Sequence, residues 1–380
     1  MNQNLVKVLS MEYFQCNQQF LRGYGISFPC SRNQSKYKGL TVPTVINSCY
    51  LPIEGWILAN SVPISGIEVR WEDIVVARDL PNLKRQDIKD KFPDIDVGNP
   101  GFLIPCNTSY LPLEAELFVY AVLKDQEELK LLKITIFHNS NTNEFQKCQN
   151  FFIIFNGRCG STYLVDKLSK HPQIDSKMEN IYQYNNLSQQ LCFIDKYFGS
   201  DRNENIKAVG FKEQLVNIVE PEKTINYMIH KYSPIIYLMS RKNVLKTAIS
   251  MIRTELLNKT HGVANATNLS QVVPPSNIPP NKLLEVIKYR EKLDADLDKF
   301  VEKLKISVKI IFYEEILNNE DELLRYIFRD LGVEAIKIKE SSIKKNTSNN
   351  LRNALTNFDE LVEYFSGTKY EAMLLEGATL

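Results

Sequence analysis

The sequence predicts an α/β chain: a mostly parallel sheet flanked by helices, preceded by a small all-β, sandwich-like domain. Three observations carry that prediction. Between residues 41 and 137, short apolar runs alternate with turn residues at hairpin spacing and show no helical period, the pattern of antiparallel strands. From Phe151 onward, apolar strand-like runs are separated by longer segments of helical character, the order that builds βαβ units and a parallel sheet. At 380 residues, against about 100 to 200 for a typical domain, the chain has room for both units.

Taken in order, residues 1 to about 40 are polar and are expected to be irregular. GWILANSVPISGIEVRWEDIVVAR, GFLIPCNTSYLPLEAELFVYAVLKD and ELKLLKITIFH then supply several strands of ~5 to 8 residues, which a small sandwich would pair. The polar stretch from His138 to Asn150 has the composition of a linker and divides a domain over 1–140 from one over 148–380. In the second domain the strands FFIIF, KAVGF, PIIYLM and VKIIFY are bounded by helical candidates over 162–170, 242–255, 282–304 and 321–331. Residues 258–281, with four prolines and no period, are too long for an ordinary connection and are either a functional lid or a disordered insert.

Composition excludes several classes. With 46 Lys and Arg against 45 Asp and Glu, nothing favours a nucleic-acid backbone or an anionic membrane, so any bound anion must be held locally. The seven cysteines (Cys16, Cys30, Cys49, Cys106, Cys148, Cys159 and Cys192) include no CxxC pair and match neither a zinc site nor a dense disulfide framework. The opening residues lack the apolar run of a signal peptide, and no stretch reaches the ~18 apolar residues of a membrane span. The chain is expected to be soluble, reduced and cytoplasmic.

The most informative stretch is FFIIFNGRCGSTYLVDKLSKHPQI, where a buried strand runs through Gly157, Arg158, Cys159, Gly160, Ser161, Thr162 and Tyr163 into a helix. Gly160 allows close backbone approach to an oxyanion, and the first N–H groups of the helix lack internal partners at the positive end of its dipole. Arg158 adds a charged, forked donor, and the Ser161 and Thr162 hydroxyls add two more polar groups. The same Ser161 would also serve as a simple helix cap. An NTP-binding loop of the form Gly-x-x-x-x-Gly-Lys-Ser/Thr is absent, because no lysine follows the second glycine.

This stretch resembles the signature of sulfotransferases that use 3′-phosphoadenosine 5′-phosphosulfate, particularly the branch related to carbohydrate sulfotransferases. Their strand enters a turn of the form Arg-Ser-Gly-Ser/Thr-Thr, followed by a leucine-containing helix and then His-Pro and an apolar residue. Arg158 to Thr162, Leu164, Leu168, His171, Pro172 and Ile174 reproduce that order, with Cys159 in place of the usual serine. A second family signature, an apolar strand ending in Arg with a Ser eight or nine residues on, is met by Arg241 and Ser250 in PIIYLMSRKNVLKTAIS. The downstream IIFYEEILNNEDELLRYIFRDLGV and the C-terminal segment are also similar, so the resemblance spans residues 150 to 380.

The resemblance implies a P-loop-like sheet and a site in which residues 158–163 hold the 5′ end of the nucleotide while Arg241 and Ser250 hold its 3′-phosphate. Lys345 and Arg352 are further candidates for cofactor contact. It also implies transfer of a sulfuryl group to a hydroxyl acceptor, a carbohydrate or glycoconjugate, leaving adenosine 3′,5′-bisphosphate without need of a metal. In-line displacement needs a base for the acceptor and a cation for the leaving phosphate oxygen. Glu179, eight residues past His171, stands at the offset of a family glutamate and is the candidate base, with Glu213 as the alternative. Lys212 and Arg158 are the candidate leaving-group cations. His171 is expected to set the helix end. The competing readings are a P-loop small-molecule kinase and a non-catalytic nucleotide- or glycan-binding protein.

Overall fold

The computed structural model describes residues 5–15, 19–28, 44–47, 50–60, 62–93, 96, 98–108, 111–125, 127–139, 148–179, 181–199, 202, 204–341 and 343–377. Two compact units are present: Met1–Lys147, Ile181–Glu204 and Lys223–Met228 form the first, and Cys148–Asn180, Asn205–Glu222 and Ile229–Leu380 the second.

The first unit begins with β1 (Leu5–Tyr13), β2 (Leu21–Phe28), β3 (Thr44–Asn47), β4 (Tyr50–Ala59), β5 (Ile64–Trp71), β6 (Ile74–Asp79), α1 (Gln86–Lys91), β7 (Gly101–Asn107), β8 (Glu114–Leu123) and β9 (Glu128–Asn139). These strands make a six-stranded antiparallel sheet ordered β3-β1-β9-β8-β5-β6 and a three-stranded antiparallel sheet ordered β2-β4-β7. Along β8, Ala115, Leu117, Val119, Ala121 and Leu123 are buried while their neighbours are not, because successive side chains point to opposite faces. Buried residues of both sheets, among them Val119, Ile134, Ile53 and Ile104, share one hydrophobic core. β1 and β2 overturn the expectation of an irregular first forty residues. The alternation that buries Val6 and Val8 on either side of Lys7 is too brief to stand out in a polar segment.

The chain continues as β10 (Gln149–Phe155), α2 (Ser161–Ser169), β11 (Ile174–Lys177), α3 (Leu187–Phe198), β12 (Ala208–Gln214), α4 (Pro221–Tyr232), β13 (Ile235–Ser240), α5 (Val244–His261), α6 (Pro280–Leu304), β14 (Val308–Phe312), α7 (Tyr313–Asp330), α8 (Phe358–Tyr364) and α9 (Lys369–Glu376). The expected linker is shorter than its composition indicated: His138 and Asn139 end β9, Gln149 and Asn150 open β10, and residues 140–147 lie outside the described residues. Of these elements, α3 and Lys223–Met228 of α4 group with the first unit. There the Gln189 side chain donates to Asp79 Oδ2 at 2.8 Å and to Leu103 O at 3.4 Å.

In the second unit five parallel strands are ordered β11-β12-β10-β13-β14. Phe151 to Phe155 are all buried, as a central strand covered on both faces requires. From β10 the chain passes to β11 at one edge and returns to β12 beside β10, then crosses to β13 and β14 on the other side, so the strand order reverses at β10. The carboxyl ends of β12, β10 and β13 therefore frame the crevice in which open α/β sheets bind ligands.

Residues 258–281 close α5 and then pack against the C-terminal segment, which overturns the disordered-insert alternative. Arg253 of α5, only 2% exposed, is the fastener. Its guanidinium donates to Pro274 O at 3.0 Å, Ser276 Oγ at 3.0 Å, Ala354 O at 3.0 Å and Asn346 O at 2.9 Å. The Asn346 side chain returns a bond to Arg253 O at 3.1 Å and accepts from Val273 N at 2.9 Å. Each buried carbonyl left unpaired costs about 1 to 3 kcal/mol. Replacing Arg253 by Met is therefore expected to lower stability in urea by about 3 kcal/mol or more; a loss below about 1 kcal/mol would show that the fastener is dispensable.

Candidate functional site

At the carboxyl end of β10 the chain turns through Asn156, Gly157, Arg158 and Cys159 to Gly160, the N-cap of α2. Arg158 has φ of 68° and Gly160 a φ of 85°. The left-handed conformation costs a residue with a Cβ about 1 to 2 kcal/mol, so Arg158 is held there by its surroundings. At Gly160 a Cβ would lie 2.4 Å from Cδ2 of Tyr313, which leaves no residue but glycine room. Gly157, Arg158, Gly160, Ser161, Thr162 and Tyr163 line one cavity of about 800 Å³.

Arg158 Nε donates to Ser250 Oγ at 3.2 Å, and Nη1 donates to Ala264 O at 3.2 Å and Asn265 Oδ1 at 3.1 Å. Ser250 thus meets Arg158 directly, and the side chains of Arg158, Arg241 and Ser250 all line the cavity. Arg241, at the carboxyl end of β13, places its Cζ 4.6 Å from the Tyr313 ring centroid, and its buried Nε has no hydrogen-bond partner. Burial holds both guanidinium groups below their usual basicity, and Arg241 adds repulsion at Arg158. Lys345 reaches the cavity rim with part of its surface in solvent. Surrounding protein, Arg241 and Lys246 push its ammonium down to about 8. Lys246 is lowered by burial and by Arg241. Arg352 instead pairs with Asp359 at 2.9 Å and does not line the cavity.

Glu179 faces the same cavity. One carboxylate oxygen accepts from Lys212 Nζ at 2.6 Å and the other from Gln214 Nε2 at 3.0 Å. Lys212, 1% exposed at the end of β12, also donates to Thr162 Oγ1 at 2.9 Å and Ser161 Oγ at 3.3 Å. Those three bonds use all the donors of an ammonium. Lys212 therefore lies behind the cavity wall, where it fixes Glu179 and both turn hydroxyls, and it does not itself line the cavity. Glu213 is fully buried, accepts from Asn217 Nδ2 at 2.6 Å and does not line the cavity, as the alternation along β12 dictates. The Cys159 side chain is fully buried in the core beneath the turn, so that only its backbone is near the site. His171, 2% exposed, bonds Glu334 O at 2.9 Å and Gln173 N at 3.1 Å beyond the end of α2. Cys106 and Cys159 are buried free thiols, Cys148 Sγ donates to Ile206 O at 3.2 Å, and Cys16, Cys30 and Cys49 lie outside the described residues.

Two site features escaped the sequence reading. Arg290 on α6 is 1% exposed, lines the cavity, donates through Nε to Asp294 Oδ2 at 2.8 Å and bonds Gly157 O. Its signal was present: Leu283, Ile287, Arg290 and Leu297 fall on one buried stripe of α6, so a charge occupies a core position of an amphipathic helix. The second is Thr347, whose buried hydroxyl lines the cavity and has no partner. Its segment has no periodicity by which to find it.

No protein-family model matches the chain, and no curated protein matches it. Among solved structures it is similar to a sulfotransferase from Alicyclobacillus acidocaldarius, at 18% identity over 61% of this chain and 97% of the other, with a TM-score of 0.32. It is also similar to the mouse sulfotransferase SULT7A1 complexed with PAP, at 14% identity over 62% of this chain and 90% of the other, with a TM-score of 0.33. Among the described residues no helix is long and apolar enough to cross a membrane.

The depressed Lys345 ammonium makes anion binding depend on pH. Above about 8 the free side chain is neutral, and an anion favours its charged form, so sulfate affinity is expected to fall as pH rises through about 8. Calorimetry in buffers of different ionisation enthalpy will register proton uptake there, and Lys345→Met will flatten the profile. Stability of the free protein moves oppositely. The folded chain binds fewer protons than the unfolded chain between about 8 and the ordinary lysine value of 10.5, so this group adds stability as pH rises through that window. A flat wild-type affinity between pH 7 and pH 9 would contradict the assignment.

Proposed function

We propose that this chain is a sulfotransferase that moves a sulfuryl group from 3′-phosphoadenosine 5′-phosphosulfate to a hydroxyl acceptor, a carbohydrate or glycoconjugate. Adenosine 3′,5′-bisphosphate is the other product. The observation that carries the proposal is the set of cations at the ends of adjacent parallel strands: Arg158 after β10 and Arg241 after β13, around one cavity with the Gly160 turn. The residues fit such a nucleotide on two counts. Arg241 Nε is a buried donor with no partner, and the buried Thr347 hydroxyl, which lines the same cavity, has none either. The kinase alternative has weaker support, since the turn carries no lysine after its second glycine.

In this reading Arg158 and the backbone of residues 158–163 bind the 5′ end. Ser161 and Thr162 accept from Lys212, and the Thr162 hydroxyl proton is the one offered to the anion. Arg241 takes the 3′-phosphate, and Ser250 contributes a hydroxyl between the two arginines. Bound donor supplies an activated sulfur whose leaving group is a phosphate. Glu179 accepts the acceptor hydroxyl proton as the new oxygen–sulfur bond forms. The old sulfur–oxygen bond breaks, and its electron pair stays on the phosphate oxygen, where Arg158 and the turn stabilise it. Lys212 and Gln214 hold the Glu179 carboxylate in place and are positioning residues. The first unit is proposed as a β-sandwich-like accessory module beside this catalytic unit.

Calorimetry in EDTA tests the cofactor assignment. Wild type should bind adenosine 3′,5′-bisphosphate, and Arg158→Ala and Arg241→Ala should each weaken binding, by about 1.5 to 3 kcal/mol for a lost charged hydrogen bond. In turnover assays Glu179→Gln should lower kcat by roughly 10²- to 10⁴-fold while leaving product affinity within about twofold. Absence of binding, or binding of ATP only with magnesium, would refute the proposal.

A further inference from the structure

We propose that Arg290 is a third anion-binding guanidinium, one that contacts the 5′-phosphate end of the nucleotide and sets the shape of the turn beneath it. This inference rests on the proposed nucleotide reading and deepens it. α6 lies outside both signature stretches, and nothing in its sequence resemblance assigns it a ligand.

The geometry leaves Arg290 one free function. Nε is occupied by Asp294 Oδ2 at 2.8 Å, and Nη1 is occupied by Gly157 O. Nη2 is buried without a partner, and the residue lines the cavity. Buried guanidinium donors are ordinarily satisfied, because an unmade bond to a charged group costs more than a neutral one. Asp294 also accepts from Asn156 Nδ2 at 2.8 Å. The side chains of Arg290 and Asp294 therefore grip two successive residues of the turn, Asn156 by its amide and Gly157 by its carbonyl. Arg158, the next residue, is the one held at a φ of 68°.

The electrostatics agree with a ligand. Arg290 adds to the repulsion felt by Arg241, which in turn repels Arg158. Asp294 offsets one of these charges, and Glu179 is committed to Lys212. An anion against Nη2 would satisfy the orphaned donor and relieve the crowding at once. Because Arg290 is tied to Gly157, the oxygen it meets belongs to the group seated on the 156–162 turn, distinct from the group taken by Arg241.

Two mononucleotides separate the ends. Calorimetry in EDTA compares wild type, Arg290→Lys and Asp294→Asn for binding of adenosine 5′-monophosphate, adenosine 3′-monophosphate and adenosine 3′,5′-bisphosphate. Arg290→Lys keeps the charge but loses the fork; Asp294→Asn keeps the guanidinium but loosens its anchor. The expected result is a loss of about tenfold or more for the 5′-monophosphate in both variants, with the 3′-monophosphate changed by less than about twofold. Equal losses for both mononucleotides would reduce Arg290 to a structural tie and overturn the inference. Unchanged 5′-monophosphate binding in the variants, with wild type binding it, would do the same while leaving the sulfotransferase reading intact. Failure of wild type to bind the bisphosphate would sink that reading and this inference together.

Discussion

Arg158, Arg241 and Arg290 surround one cavity, and their mutual repulsion is the condition that the rest of the second unit has to meet. Like charges repel more strongly as water is withdrawn, and a guanidinium keeps its proton at ordinary pH. Such a cluster persists only if a frame holds it or an anion neutralises it. Asp294, Ser250, the carbonyls of Gly157 and Ala264 and the ring of Tyr313 form the frame. They leave two buried donors, Arg241 Nε and Arg290 Nη2, without partners. In the proposed reading these donors are preorganised for an anionic ligand, in the sense that dipoles and charges are already aimed before the ligand arrives.

The parallel sheet supplies the common origin. β12, β10 and β13 are neighbours and run in the same direction, so Lys212, the 156–160 turn and Arg241 emerge side by side at their carboxyl ends. The walls come from later in the chain. Arg253 ties residues 273–276 and Asn346 to α5, and so brings Lys345 and Thr347 to the cavity that Glu179 also lines. The apolar stripe of α6 packs with α5 and the C-terminal segment, and by burying Leu283 and Ile287 it carries Arg290 to the turn.

Local grammar made the strand–turn–helix at Phe151 legible, because an uninterrupted apolar run has to be buried on both faces and Gly160 marks where it turns. Arg241 and Glu179 were legible by resemblance. The burial of the Lys212 and Cys159 side chains was not, since a position near a signature does not reveal which face a side chain takes; strand alternation and core packing decide both. β1 and β2 were missed because a short alternation in polar surroundings falls below the periodic signal, and the pairing of β1 depends in part on a strand far along the chain, Lys7 lying opposite Phe137. Arg290 was hidden for the opposite reason: a charged residue in a 25-residue helix reads as solvated until the stripe that buries it is traced.

The most direct test is a crystal structure of the chain with adenosine 3′,5′-bisphosphate. The 5′-phosphate should sit over the turn from Arg158 to Tyr163, and the 3′-phosphate should lie within hydrogen-bond distance of Arg241 Nε, the donor that has no protein partner. A bisphosphate bound elsewhere, or one seated in the cavity with Arg241 Nε still unpaired, would contradict the account.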